Sequence, residues 1–216
     1  VLKLDRFEGP VRSLAFSSDG RQLATCGGLE VVQLWDTLTG QESAPLRGHS
    51  EFVQAVAFSP DGVHAATAGV DMTARVWNAA TGAEVGNLAH LGRVYCVAFS
   101  PDGRLLAAGD SNQNVGIWDW AAGKEVHRQS AHTHQVFSVA FSPDGRHVAS
   151  ASWAEVIVWD ADDPVRFRTL DGHAGTIWGV AFSPDGQCLA AASGYKDKGE
   201  VTLWDSARWQ INSDEQ

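Results

Sequence analysis

The sequence predicts an all-β chain built from repeated four-stranded antiparallel sheets that stack side by side around an axis. Three observations predict it. The phrase VAFSPDG stands at Val56–Gly62, Val97–Gly103, Val139–Gly145 and Val180–Gly186, and LAFSSDG stands at Leu14–Gly20. The closing glycines, at 20, 62, 103, 145 and 186, lie 42, 41, 42 and 41 residues apart. Two more marks keep the same period: Trp35-Asp36, Trp77-Asn78, Trp118-Asp119, Trp159-Asp160 and Trp204-Asp205, and, before the second to fifth phrases, Gly48-His49, Ala89-His90, Ala131-His132 and Gly172-His173. Three marks in phase over a period of this length are the signature of one supersecondary unit repeated.

Within a unit the local signals are strand and turn. The apolar Val-Ala-Phe run is a first strand, and Ser-Pro-Asp-Gly ends it, with Pro fixing one φ and Gly supplying a positive one. A small-residue strand follows, as in Leu23-Ala24-Thr25 and Ala65-Ala66-Thr67. A third strand ends in Trp, as in Ala74-Arg75-Val76-Trp77, and its β-branched and aromatic residues suit a pleated surface. Thr39-Gly40, Thr81-Gly82 and Ala122-Gly123 then turn the chain into a fourth, more polar strand, Gln41 to Leu46 and Ala83 to Leu88 in the first two units. One such sheet cannot bury both of its faces. Stacking neighbours radially does so, and the architecture that results is a β-propeller.

Composition narrows the function. A formal net charge of −10 opposes a nucleic-acid backbone as main partner, which needs clustered Lys and Arg, and opposes an anionic membrane surface equally. Cys26, Cys96 and Cys188 are odd in number and widely spaced, so they suggest neither a disulfide framework nor a zinc ribbon, and a reducing, cytoplasmic setting suits them. No apolar run approaches a membrane-spanning length. The chain opens on Val1 rather than Met, which reads as an excerpt or a processed form.

With these marks in hand, the chain resembles the WD-repeat (WD40) β-propellers over essentially its whole length. The Thr-Gly-x-Glu sequences Thr39–Glu42 and Thr81–Glu84 resemble the bacterial branch of that family. The resemblance implies repeats at about residues 8–47, 48–88, 89–130, 131–171 and 172–216, with residues 1–7 as the outer strand of a preceding or closing blade. It also implies that His49, Thr67, Asp71 and Trp77 form a buried hydrogen-bonded tetrad, a structural role for residues whose types would otherwise suggest catalysis. Other repeats depart from that pattern: Glu8-Gly9-Pro10 replaces Gly-His in the first, Asn112 replaces the Asp in the third, and Trp153 stands near the corresponding turn in the fourth. Those blades are expected to hold fewer internal hydrogen bonds. In the fifth, His173, Ser193 and Asp197 are the tetrad candidates.

A candidate binding surface comes from the start of the inner strand. Aligning Val11-Arg12-Ser13-Leu14, Val53-Gln54-Ala55-Val56, Val94-Tyr95-Cys96-Val97, Val136-Phe137-Ser138-Val139 and Ile177-Trp178-Gly179-Val180 leaves the outer positions aliphatic and the second one variable. By resemblance, Arg12, Gln54, Tyr95, Phe137 and Trp178 line the top face near the central channel, where peptide partners dock. Phe52, Arg93, Gln135 and Thr176, two residues upstream, join the same rim. The alternative is that Phe137 and Trp178 simply fill the space between blades. His132 and His134 lack a third metal ligand, and Lys196–Glu200 reads as a solvated loop insertion.

Two arrangements stay open. In one, residues 1–7 complete the fifth blade and close a five-bladed ring. In the other the repeats are an arc of a propeller of about seven blades, whose exposed ends invite self-association. The functional expectation is a non-catalytic scaffold for a protein or peptide partner within a larger signalling or regulatory protein, with no nucleic acid, membrane, metal or cofactor; the alternatives are an assembly element that completes a ring with other repeats and, behind it, an enzyme domain. The sequence shows no Gly-rich phosphate loop and no nucleophile elbow.

Overall fold

Each repeated phrase becomes a strand end locked by its own turn. In the second, Ser59 Oγ donates to Asp61 Oδ1 at 2.5 Å and accepts from the His64 amide at 2.9 Å, while Asp61 Oδ1 accepts from the Val63 amide at 2.9 Å. Gly62 completes the turn at φ +71°, in the left-handed region open to glycine, and its four equivalents lie between +68° and +73°. Sequence identity at five places is therefore turn chemistry repeated five times.

The structure is a computed structural model that describes residues 3–4, 9–196, 198–209 and 211. Blade one comprises β1 (Val11–Phe16), β2 (Gln22–Gly27), β3 (Val31–Asp36) and β4 (Leu46–Arg47), and blade two comprises β5 (Val53–Phe58), β6 (His64–Gly69), β7 (Thr73–Asn78) and β8 (Glu84–Ala89). Blade three follows with β9 (Val94–Phe99), β10 (Leu105–Asp110), β11 (Val115–Asp119) and β12 (Lys124–Gln129), and blade four with β13 (Ser138–Phe141), β14 (His147–Ala151), β15 (Val156–Asp160) and β16 (Phe167–Leu170). Blade five holds β17 (Thr176–Phe182), β18 (Cys188–Tyr195) and β19 (Lys198–Asp205), after which a single helical turn, α1 (Ser206–Trp209), stands where other blades turn into a fourth strand. All sheets are antiparallel meanders in sequence order. The outer strand expected from residues 1–7 lies, apart from Lys3 and Leu4, outside the described residues.

The core is not central but divided among the seams between blades. Ala24, Val32, Leu34 and Leu46 of blade one meet Val53, Val56, Ala65 and Trp77 of blade two. Equivalent sets join blades two and three, three and four, and four and five. Small residues on the second strand let neighbouring sheets approach, and the Trp ending the third strand fills the gap, which is why five of the nine tryptophans share one position. The two end faces differ. On blade one Leu14 is 60% and Phe16 59% exposed, and on blade five Val201 is 69% and Leu203 68% exposed, although their counterparts Val56, Ala74 and Val76 are buried. The described residues thus form five blades of a propeller joined by four shared seams.

Candidate functional site

The resemblance to a catalytic array in blade two dissolves in the geometry. Trp77 Nε1 donates to Thr67 Oγ1 at 2.9 Å, Thr67 Oγ1 lies 2.6 Å from His49 Nε2, and His49 Nδ1 lies 2.9 Å from Asp71 Oδ2. Because a carboxylate only accepts, His49 carries its proton on Nδ1, and Nε2 accepts from the Thr67 hydroxyl. Burial pushes the His49 imidazole below its ordinary value, against the pull of Asp71, so the ring is neutral. Asp71 is held below the usual carboxylate range. Burial opposes that shift, but hydrogen bonds from Thr73 and the Ser50 amide, together with His49, outweigh it. Gly69 makes room, since a Cβ there would stand 2.3 Å from Asp71 Oδ1 and 2.4 Å from His49 Nδ1. Thr67 is 0% exposed, so no substrate reaches its hydroxyl.

Blade four holds fewer of these bonds than blade two, as expected, but it keeps a tetrad built on a different acid. Trp159 Nε1 donates to Ser150 Oγ at 2.7 Å, Ser150 Oγ lies 2.6 Å from His132 Nε2, and Glu155 Oε1 lies 3.2 Å from His132 Nδ1. One extra methylene lets Glu155 reach from one residue further along the turn, so Trp153 displaces nothing. His132 has both ring nitrogens engaged, which leaves none for a metal beside His134. In blade three Asp110, not Asn112, carries the nearest carboxylate, 3.7 Å from His90 Nδ1 and too long for a hydrogen bond. Ala108 stands where blades two and four have Thr67 and Ser150, and both His90 nitrogens and Trp118 Nε1 are buried without a partner. In blade five His173 Nδ1 lies 2.7 Å from Ser193 Oγ, while Asp197 falls outside the described residues.

The variable position of the inner strand has a structural cause that no sequence signal marks. In β1 the pairing jumps from Val11 to Ser13, in β5 from Val53 to Ala55, in β9 from Val94 to Cys96 and in β17 from Ile177 to Gly179. Arg12, Gln54, Tyr95 and Trp178 are therefore the extra residues of β-bulges, which re-aim side chains out of the regular pleat. Phe137 precedes β13 and holds the same place through its amide, which donates to the Ala151 carbonyl at 2.8 Å. Three of these side chains meet across neighbouring blades: the Tyr95 and Phe137 rings lie 5.6 Å apart and the Phe137 and Trp178 rings 5.1 Å apart, with Trp178 63% exposed. Arg12 is exposed and Gln54 half-buried. Of the upstream set, Phe52, Arg93 and Gln135 are exposed, but Thr176 is buried and pairs with Gly194.

Beside this ladder, where blades three, four and five adjoin, opens a groove of about 440 Å³ lined by Gln113, His134, Gln135, Phe137, Trp153 and Thr176. Trp153, 42% exposed, lies 6.1 Å from the His134 ring and 6.3 Å from the Tyr195 ring. In the sequence Trp153 marks only a departure from the turn pattern, and nothing there signals the place of Tyr195. The available signal was that an exposed aromatic stood where the repeat elsewhere has small or polar residues.

A family model described as the IFT122 first beta-propeller matches residues 10–214. The chain belongs to that family. No curated protein matches it. The type is WD40-like, generally non-catalytic and commonly used in protein interaction. Fold alone does not assign a partner. No helix among the described residues is long and apolar enough to cross a membrane.

Proposed function

We propose that this propeller is a non-catalytic protein-interaction platform that binds a peptide or loop of a protein partner on its top face, as one part of a larger signalling or regulatory protein in the cytoplasm. One observation carries the reading: Tyr95, Phe137 and Trp178, at equivalent positions of three successive blades, form a continuous, partly exposed aromatic ladder. Rigid aromatics of this kind are enriched at binding hot spots, because they supply large contact area at low conformational entropy cost. Arg12, Gln54, Phe52 and Arg93 extend the surface with polar and apolar contacts around the arc. The adjoining groove at Trp153 offers a pocket for an anchoring side chain.

Selecting ligands from a displayed peptide library tests the reading. Sequences enriched on the wild-type protein are expected to bind the Tyr95→Ala, Trp178→Ala double variant at least ~10-fold more weakly, with thermal unfolding unchanged. Equal affinity of the selected peptides for both proteins overturns the assignment of the site to the ladder.

A further inference from the structure

We propose that the groove beside Trp153 takes an acidic segment of the protein partner, seating one large apolar side chain among Phe137, His134 and Trp153 while Arg93 holds a neighbouring carboxylate. This rests on the top-face reading given above and adds the partner's chemistry to it. Blade four supplies most of the groove and is packed between blades three and five. Its aromatic wall exists because Glu155 serves His132 there. Asp71 in the matching turn of blade two is spent on His49, whereas Trp153 has no part in its own blade's tetrad and stays 42% exposed at the groove. No carboxylate, Lys or Arg lines the groove.

Charge selects the occupant. In each antiparallel meander the ends of the first and third strands share one face of the propeller, and the start of the first strand lies on the other. The five phrase-turn aspartates and the four of the Trp-Asp marks therefore stand on the face opposite the groove. Carboxylates nearer the groove are buried or engaged. Asp110 is 0% exposed and accepts from the Asn112 and Asn114 amides at 2.8 and 3.1 Å, and Glu155 accepts from the Thr133 amide at 2.9 Å. The exposed Glu51 and Asp171 share this face but do not line the groove. Arg93 does border it: its amide donates to Ser111 Oγ at 3.0 Å, and its carbonyl accepts from the Ser111 amide at 2.8 Å. Arg93 is exposed, and its guanidinium pairs with no carboxylate among the described residues. An unpaired cation at the edge of a neutral, aromatic-walled groove attracts an anionic segment and repels Lys or Arg.

Sequencing the peptides that a random displayed library yields on the wild-type protein, and measuring their binding to variants, tests this. Enriched peptides are expected to carry Asp or Glu close to an aromatic residue or Leu. They should bind Arg93→Glu roughly 10-fold more weakly and Trp153→Ala at least ~10-fold more weakly, while Arg93→Lys, which keeps the charge, stays close to the wild type. Added salt should slow association with the wild type and leave association with Arg93→Glu unchanged. Because the Arg93 side chain is exposed and unpaired, Arg93→Glu is expected to keep its sheet content by circular dichroism and decides the charge claim even where Trp153→Ala unfolds. Enriched peptides without acidic residues, or acidic peptides that bind Arg93→Glu as tightly as the wild type, overturn the proposal. Where such peptides still lose affinity for the Tyr95→Ala, Trp178→Ala double variant, the ladder reading stands without it. Peptides that need Arg93 and Trp153 but not Tyr95 and Trp178 support the groove and overturn the ladder reading, and a library that yields no binder overturns both.

Discussion

The loss of one hydroxyl, beside a carboxylate that stops short of hydrogen-bonding distance, separates the internal wiring of blade three from that of blades two and four. Thr67 and Ser150 each relay between a Trp indole and a His imidazole, and Ala108 at the equivalent register cannot. His90 and Trp118 are left with buried, unpaired polar atoms, which cost free energy because they have given up water for nothing. Ala108→Ser is expected to restore the relay and stabilise the protein by about 1 kcal/mol, roughly 2–4 °C in Tm. Thermal unfolding of the variant checks it, and a Tm at or below that of the wild type would show that the seam has no room for the hydroxyl. Gly69 illustrates the opposite constraint, since the His49–Asp71 contact exists only because no Cβ intrudes.

The strands themselves follow closely from pattern. Alternation, turn residues and the Trp-Asp mark place nineteen short strands in five meanders, because each of these signals acts over a few neighbouring residues. What the pattern cannot show is where a strand is irregular. A bulge inserts one residue without any composition signal, and the sequence shows it only as variability at Arg12, Gln54, Tyr95 and Trp178. The end of the chain was equally silent. The tail after Trp204 lacks the features of a fourth strand, yet α1 brings Trp209 back under blades four and five, where it is 2% exposed and lies 5.4 Å from the His147 ring and 5.1 Å from Phe182. Trp120 takes a similar position beside His64 and Phe99 two seams earlier, reaching it from the turn after Asp119 instead. Trp209→Ala is expected to cost about 3 kcal/mol and to loosen blade five first. Denaturant unfolding with hydrogen exchange resolved by blade tests this, and uniform loss across all blades would contradict it.

At the scale of the whole molecule, stability is a sum over blades and seams, so a small effect present in every blade becomes large. Each phrase turn holds an Asp below its ordinary carboxylate value through the neighbouring Ser hydroxyl and a backbone amide: Asp19, Asp61, Asp102, Asp144 and Asp185. A carboxylate with a depressed folded pKa contributes stability above its unfolded value, near 3.8, and loses it as pH falls through the folded one. His49, His147 and His173 are also depressed, by burial, so the folded state resists protonation that the unfolded state accepts below about 6.5. The sign is again loss of stability on acidification. Tm is expected to be flat between pH 7 and about pH 8, to decline below about pH 6.5 as the unfolded imidazoles gain protons, and to collapse below about pH 4 as the turns lose their carboxylates. A Tm that rises between pH 7 and pH 5 would refute the histidine part. Much of the formal charge of −10 is thus turn structure rather than a signal to a partner.

By itself the sequence determined the blade: its period, its four-strand plan, its turn chemistry and the residues of the blade-two tetrad, all of which repeat or act within one unit. Tertiary structure alone decided that Glu155 and Asp110 supply the carboxylates in blades four and three, and that Tyr95, Phe137 and Trp178 become one surface. The reason is distance along the chain. A turn is written in adjacent residues, whereas a seam or a ladder depends on which side chains meet across one or more whole repeats, and a one-residue bulge is enough to change the meeting.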